Sequence, residues 1–132
     1  MLVEFKVETD KKTQLINITS KVEDIIKNDN IKSGYCIIFI PHTTAAVTIN
    51  ESADPDVCRD IEYKLDDLIP WHDNYKHGEG NSAAHVKSSL VGSSERVIIN
   101  NGQLLFGTWQ GIFLTEFDGP RLRKVQVKIV KD

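Results

Sequence analysis

The chain has 132 residues, with 40% hydrophobic and 27% charged side chains, which suits one soluble domain with one core and leaves too little for two. Its formal net charge of −3 argues against broad electrostatic binding to nucleic acid, which needs a basic surface. No run of about 18 apolar residues is present, the N-terminus lacks signal-peptide order, and only Cys36 and Cys58 could pair. These features predict a cytoplasmic protein with no membrane association and with buried free thiols.

Taken in chain order, residues 3–8 alternate. Val3, Phe5 and Val7 oppose Glu4, Lys6 and Glu8, the pattern of a half-buried strand. Leu15 to Ile18 reads as a second strand, joined to the first as a hairpin through Asp10-Lys11-Lys12. Ser20 and Glu23 form a capping-box pattern that predicts a helix over 20–28 with Val22, Ile25 and Ile26 inward. Tyr35 to Ile40 is apolar throughout, as a strand covered on both faces would be. Beyond Pro41, Ala45, Val47 and Ile49 share one parity, and His42, Thr44, Thr48 and Asn50 the other. An unbroken strand would therefore carry a polar face with a histidine.

Asp54-Pro55 predicts a capped helix start, with Val57, Ile61, Leu65 and Leu68 at helical spacing before a stop at Pro70. Residues 70–82, with Gly78, Gly80, Asn74 and Asn81, form a loop long enough to suggest function. A short third helix follows over 82–90, with Ala83, Val86 and Leu90 inward. The last third is strand-rich: Arg96 to Ile99 and Leu104 to Phe106 about Asn101-Gly102, then Trp109 to Phe117 and Leu122 to Val130. The expected class is α+β, a mostly antiparallel sheet or sandwich with two main helices and a short third, in a single domain over 1–132.

Three of the four histidines, His42, His77 and His85, stand in polar or glycine-rich settings. Three imidazoles with an open fourth position make a zinc site of the catalytic type, so a divalent metal, zinc foremost, is the cofactor this set points to. Metal-free acid–base roles compete with it equally. Glu51 is a candidate to orient an imidazole, and Glu79 to act as ligand or base. Gly78-Glu79-Gly80-Asn81 and Gly92-Ser93-Ser94 are weak anion cradles. Lys87, Arg121 and Arg123 carry charge suited to a phosphate. Gln110 shares parity with Ile112, Leu114 and Glu116, which suggests a buried hydrogen bond or a pocket contact. Trp109 would stack on a ring, or fill core or interface.

Six segments resemble the YjbQ-like family, in the same order along the chain. They are His42-Thr43-Thr44-Ala45-Ala46, Asn50-Glu51, Asp54-Pro55, Glu79-Gly80, His85 to Ser94, and Gly107-Thr108-Trp109-Gln110-Gly111-Ile112. The resemblance implies an α+β sandwich, a homotrimer, and a secondary thiamine-phosphate synthase activity. It places the family's polar positions on His42, Asn50, Glu51, Asp54, His77, His85, Trp109 and Gln110, and leaves His72 without a counterpart. The candidate catalytic set is then His42, Glu51, His77, Glu79 and His85. The candidate substrate contacts are Thr44, Asn50, Asn81, Lys87, Trp109, Gln110 and Arg121. Three functions compete: an enzyme acting on a phosphorylated small molecule, a metal-dependent hydrolase, and a trimeric protein that binds a metal or anion without turnover.

Overall fold

A computed structural model describes residues 1–132. Eight strands and three helices follow in the order β1 (Leu2–Glu8), β2 (Gln14–Asn17), α1 (Thr19–Asp29), β3 (Ser33–Phe39), β4 (Ala45–Glu51), α2 (Pro55–Leu68), α3 (Ser82–Val91), β5 (Ser94–Asn100), β6 (Gln103–Leu104), β7 (Gln110–Glu116) and β8 (Leu122–Lys131). Every strand pair is antiparallel. One sheet has the order β1-β8-β3-β5-β6 and the other β2-β7-β4. The expected α+β sandwich is the architecture observed, and no helix is long and apolar enough to cross a membrane.

Period-two alternation builds the core. Val125, Val127 and Ile129 of β8 are buried beside Cys36 and Ile38 of β3 and Val97 and Ile99 of β5. They meet Ala45, Val47, Ile112 and Leu114 from the small sheet and Val22 and Ile26 from α1. The opposite face of β3 is only partly covered: Tyr35 and Ile37 are half-buried and Phe39 is exposed. The all-apolar run 35–40 thus fills one covered face and lies open on the other, contrary to the expectation of two covered faces.

The opening hairpin is not formed. Glu8 and its neighbours pair with β8, whereas Gln14–Asn17 pairs with β7 in the other sheet, so the chain crosses between layers at 9–13. The capping box is not formed either. Ile18 is the N-cap, because its side chain is buried and its N–H donates to the Ile112 carbonyl, which fixes the helix start one residue early. Asn17 Oδ1 accepts from the Thr19 N–H instead. Asp54 does cap α2, accepting from the Asp56 N–H with Pro55 in the first turn. The Asn101-Gly102 turn has both residues at positive φ (52° and 76°), as a tight hairpin requires, and β6 beyond it is only two residues long.

Helix α3 packs on the outer face of the small sheet through small residues, Ala84 against Ala46 and Phe117. Its inward side is Ala83, Ala84, Lys87 and Ser88, while Val86 and Leu90 face outward. Close approach to β4 favours small side chains there and displaces the larger apolar ones, which corrects the predicted helix face.

Candidate functional site

The chain crosses from sheet to sheet three times at one end of the sandwich, through residues 9–13 between β1 and β2, through 40–44 between β3 and β4 and through 117–121 between β7 and β8. The loop before α3 meets them there. The last two crossings and that loop line an open cavity of about 640 Å³ whose walls include His42, Thr44, His77, Glu79, Asn81, His85, Asp118, Arg121 and Arg123, with few apolar residues. The three singled-out histidines therefore line one space. The His77 and His85 rings stand edge to face with centroids 5.4 Å apart.

His42 does not sit in a strand, since β4 begins only at Ala45. Its Nε2 accepts a hydrogen bond of 2.9 Å from the Lys124 backbone N–H. A neutral imidazole that accepts at Nε2 carries its proton on Nδ1, so His42 presents a donor. Burial, and next the positive charge of Arg123, hold its pKa below the ordinary value of 6.5, which keeps it neutral at pH 7. This bonding does not fit the predicted three-histidine metal set. His42 has its acceptor nitrogen engaged, and no three histidine, cysteine or carboxylate side chains are placed to hold an ion.

Beneath His42 lies a buried ion pair that sequence reasoning missed as a unit. Arg123, 4% exposed, donates from Nε to Glu116 Oε1 (2.8 Å) and from Nη2 to Glu116 Oε2 (2.5 Å). Nη2 also donates to the Thr44 hydroxyl (2.7 Å) and carbonyl (3.1 Å). Glu116, fully buried, further accepts from the Thr9 hydroxyl and the Asp118 N–H. Nη1 of Arg123 has no protein acceptor, and Arg123 lines the cavity. The legible signal was one charge on each of two apolar strand faces: Glu116 in register with Ile112 and Leu114, and Arg123 with Val125 and Val127.

Around this floor, Asn81 donates from Nδ2 to Glu79 Oε2 and Asp118 Oδ2, each at 2.9 Å. Its buried Oδ1 has no partner. Arg121 is exposed at the rim and pairs with Asp118 at 2.8 Å. Asp118 and Thr43 also line the cavity and were not anticipated there, and Ser93, from the Gly92-Ser93-Ser94 candidate cradle, lines it as well.

Several predicted residues lie elsewhere. Lys87, 2% exposed, is ion-paired with Asp66 and ties α3 to α2, away from the cavity. Asn50, Glu51, Trp109 and Gln110 occupy the opposite end of the small sheet, about 20 Å away along β4 at roughly 3.3 Å per residue. There Glu51 accepts from the Asp54 N–H and orients no imidazole. Gln110 is exposed, and its Oε1 accepts from the Gly107 N–H to close a turn, so the expected buried contact is not made. Trp109 is 61% exposed and fills no core in this chain. His72 is exposed and outside the cavity. Cys36 is buried, its thiol pushed up to about 11 by burial, and Cys58 is half-buried; both are free.

The family model described as UPF0047 protein YjbQ-like matches residues 3–132. The UPF0047 protein MJ1081 of Methanocaldococcus jannaschii is 51% identical over 132 residues, covering 100% of this chain and 96% of the relative. The UPF0047 protein YugU of Bacillus subtilis is 49% identical over 131 residues, covering 98% and 99%. Among solved structures, an uncharacterised YjbQ/UPF0047 protein from Clostridium acetobutylicum superposes with a TM-score of 0.95 at 53% identity, covering 97% of this chain and 99% of that one. A YbjQ-like protein of unknown function from Sulfolobus solfataricus gives 0.96 at 34% identity, covering 100% and 97%. The chain belongs to the UPF0047 YjbQ-like family.

Proposed function

We propose that this chain is an enzyme that acts on a small phosphorylated substrate in the cavity lined by His42, His77 and His85. The observation that carries the reading is the pairing of three imidazoles with a buried arginine whose Nη1 is free of protein partners. Arg123, held rigid by Glu116 and Thr44, anchors the anion, and Arg121 closes on it from the rim. His42 adds a neutral Nδ1–H donor. His77 and His85, in the same wall, supply the imidazoles that would transfer a proton to or from the substrate. Asn81 Oδ1, buried without a donor, is ready to accept from the substrate.

Thiamine-phosphate formation is compatible with this arrangement as a secondary activity. The thiazole nitrogen displaces pyrophosphate from the pyrimidine methylene, and the arginines would stabilise the departing pyrophosphate. Purified protein supplied with the two precursors should turn over below about 1 s⁻¹. His85→Ala should lower that rate by about 100-fold. No product above background, or a rate untouched by His85→Ala, contradicts the assignment of chemistry to this cavity.

Metal analysis of the parent and of His85→Ala tests the alternative of metal-dependent hydrolysis or metal capture. Stoichiometric metal that disappears in the variant would replace the present reading. A homotrimer is part of the proposal: Tyr35, Ile37, Phe39 and Ile98 share the outer face of the large sheet, with Phe39 41% and Ile98 58% exposed. A monomer by solution mass measurement would refute it.

A further inference from the structure

A second cavity, of about 460 Å³, adjoins the first and shares His42, Thr43, His85 and Ser93 with it. The two spaces differ in chemistry. The first contains two arginines and two carboxylates. The second is completed by Ala45, Ser88, Ser89 and Gly92, and has no lysine, arginine, aspartate or glutamate in its wall.

Four hydroxyls line the second cavity: Thr43, Ser88, Ser89 and Ser93. Ser89 Oγ is engaged, donating to the His85 carbonyl at 2.9 Å. Ser88 is the informative one. It is 8% exposed, and its Oγ is buried without any hydrogen-bond partner. A serine inside a helix has a local partner within reach in the carbonyl four residues back. Ser88 does not use it. A buried hydroxyl left unpaired is costly, and such groups mark places where something else supplies the bond.

The wall determines what that is. With no cation it gives an anion little to balance its charge, and with no carboxylate it does not suit a cation. Ala45 is its only hydrophobic side chain, so a flat ring or a hydrocarbon chain would find little apolar surface. Hydroxyls both donate and accept, and so match a group that does the same. We infer that the second cavity is a subsite for an uncharged, hydroxyl-bearing carbon chain. The substrate is then a polyol or sugar phosphate, with its phosphate on Arg123 and its hydroxyls on Ser88 and Thr43. The linkage between the two parts lies over His42 and His85, the residues common to both spaces.

This inference rests on the anion reading above, and calorimetry with three probes separates the two. Inorganic phosphate, glycerol and glycerol 3-phosphate are titrated into the intact protein. Glycerol 3-phosphate should bind about tenfold more tightly than phosphate, the gain of one or two net hydrogen bonds. Ser88→Ala should remove most of that gain while phosphate affinity stays unchanged, which also certifies the fold. Ser88→Val, which fills the space, should remove all of it. Phosphate binding with no gain from the glycerol moiety, or a gain indifferent to both variants, overturns the subsite and leaves the anion site standing. Absence of phosphate binding removes the anion site, and the subsite falls with it.

Discussion

Glu116→Gln perturbs the buried pair with the least change of shape. The amide occupies the same volume but carries no charge, and its NH2 faces groups that themselves donate: Arg123 Nε or Nη2, with Thr9 Oγ1 or the Asp118 N–H. Arg123, 4% exposed, is left without its counter-charge. Removing one partner of a buried ion pair costs about 3–5 kcal/mol. Against a typical domain stability of about 5–15 kcal/mol, that is a large fraction. With a urea m-value of about 2 kcal/mol/M the unfolding midpoint should fall by roughly 2 M. Urea melts followed by circular dichroism read this directly. The double variant Glu116→Leu with Arg123→Met removes both charges and should recover most of the loss, because apolar replacements of buried pairs are often close to neutral. It should still fail to bind phosphate. A midpoint shift below about 0.5 M in Glu116→Gln would refute the reasoning. So would a double variant no more stable than the single, or one that retains phosphate affinity.

Two further predictions concern the same end of the molecule. His42 has a folded-state pKa below its unfolded value of about 6.5, so between the two values the unfolded chain binds more protons and stability rises with pH. The contribution is complete above about 6.5 and is lost as pH falls through the folded value. Stability measured at several pH values should show this slope in the parent and a flatter one in His42→Asn, and equal slopes would contradict it. At Gly119, in the crossing between sheets, an added Cβ would run into the Lys11 carbonyl and approach Thr9 Oγ1 at 2.9 Å. Gly119→Ala should destabilise by about 1–3 kcal/mol, read as a lowered melting temperature, and an unchanged melting temperature would show that the crossing relaxes freely.

Much of the fold was legible because burial imposes period two. Val125, Val127 and Ile129 against Lys124, Gln126 and Lys128 declare a one-sided strand, and β8 is one. Asp54-Pro55 declares a helix start because capping is local chemistry. Partners are not local. Nothing between Glu8 and Gln14 reveals that the two strands enter different sheets, since a polar turn serves a hairpin and a crossing alike. For the same reason His42, His77 and His85 could be named individually, while their shared cavity depends on two crossings at one end. Residue type likewise did not reveal that Glu51 and Gln110 spend their polar groups on nearby backbone N–H groups at the far end of β4. Lys87 looked like a phosphate ligand because lysine is rarely buried, and Asp66 on a neighbouring helix is what permits it. The Glu116–Arg123 pair was the strongest missed signal, two opposite charges on apolar strand faces, each the counter-charge of the other.

The central claim is that the cavity of His42, His77 and His85 is an anion-binding site of functional character. The four histidines allow it to be tested in one experiment, because His72 lies outside that cavity and serves as an internal reference. Imidazole resonances are followed by NMR as inorganic phosphate is added at constant pH and ionic strength. The account predicts saturable shifts, with one common dissociation constant, for His42, His77 and His85, and none for His72. Shifts that are absent, that fail to saturate, or that appear equally at His72 would contradict it.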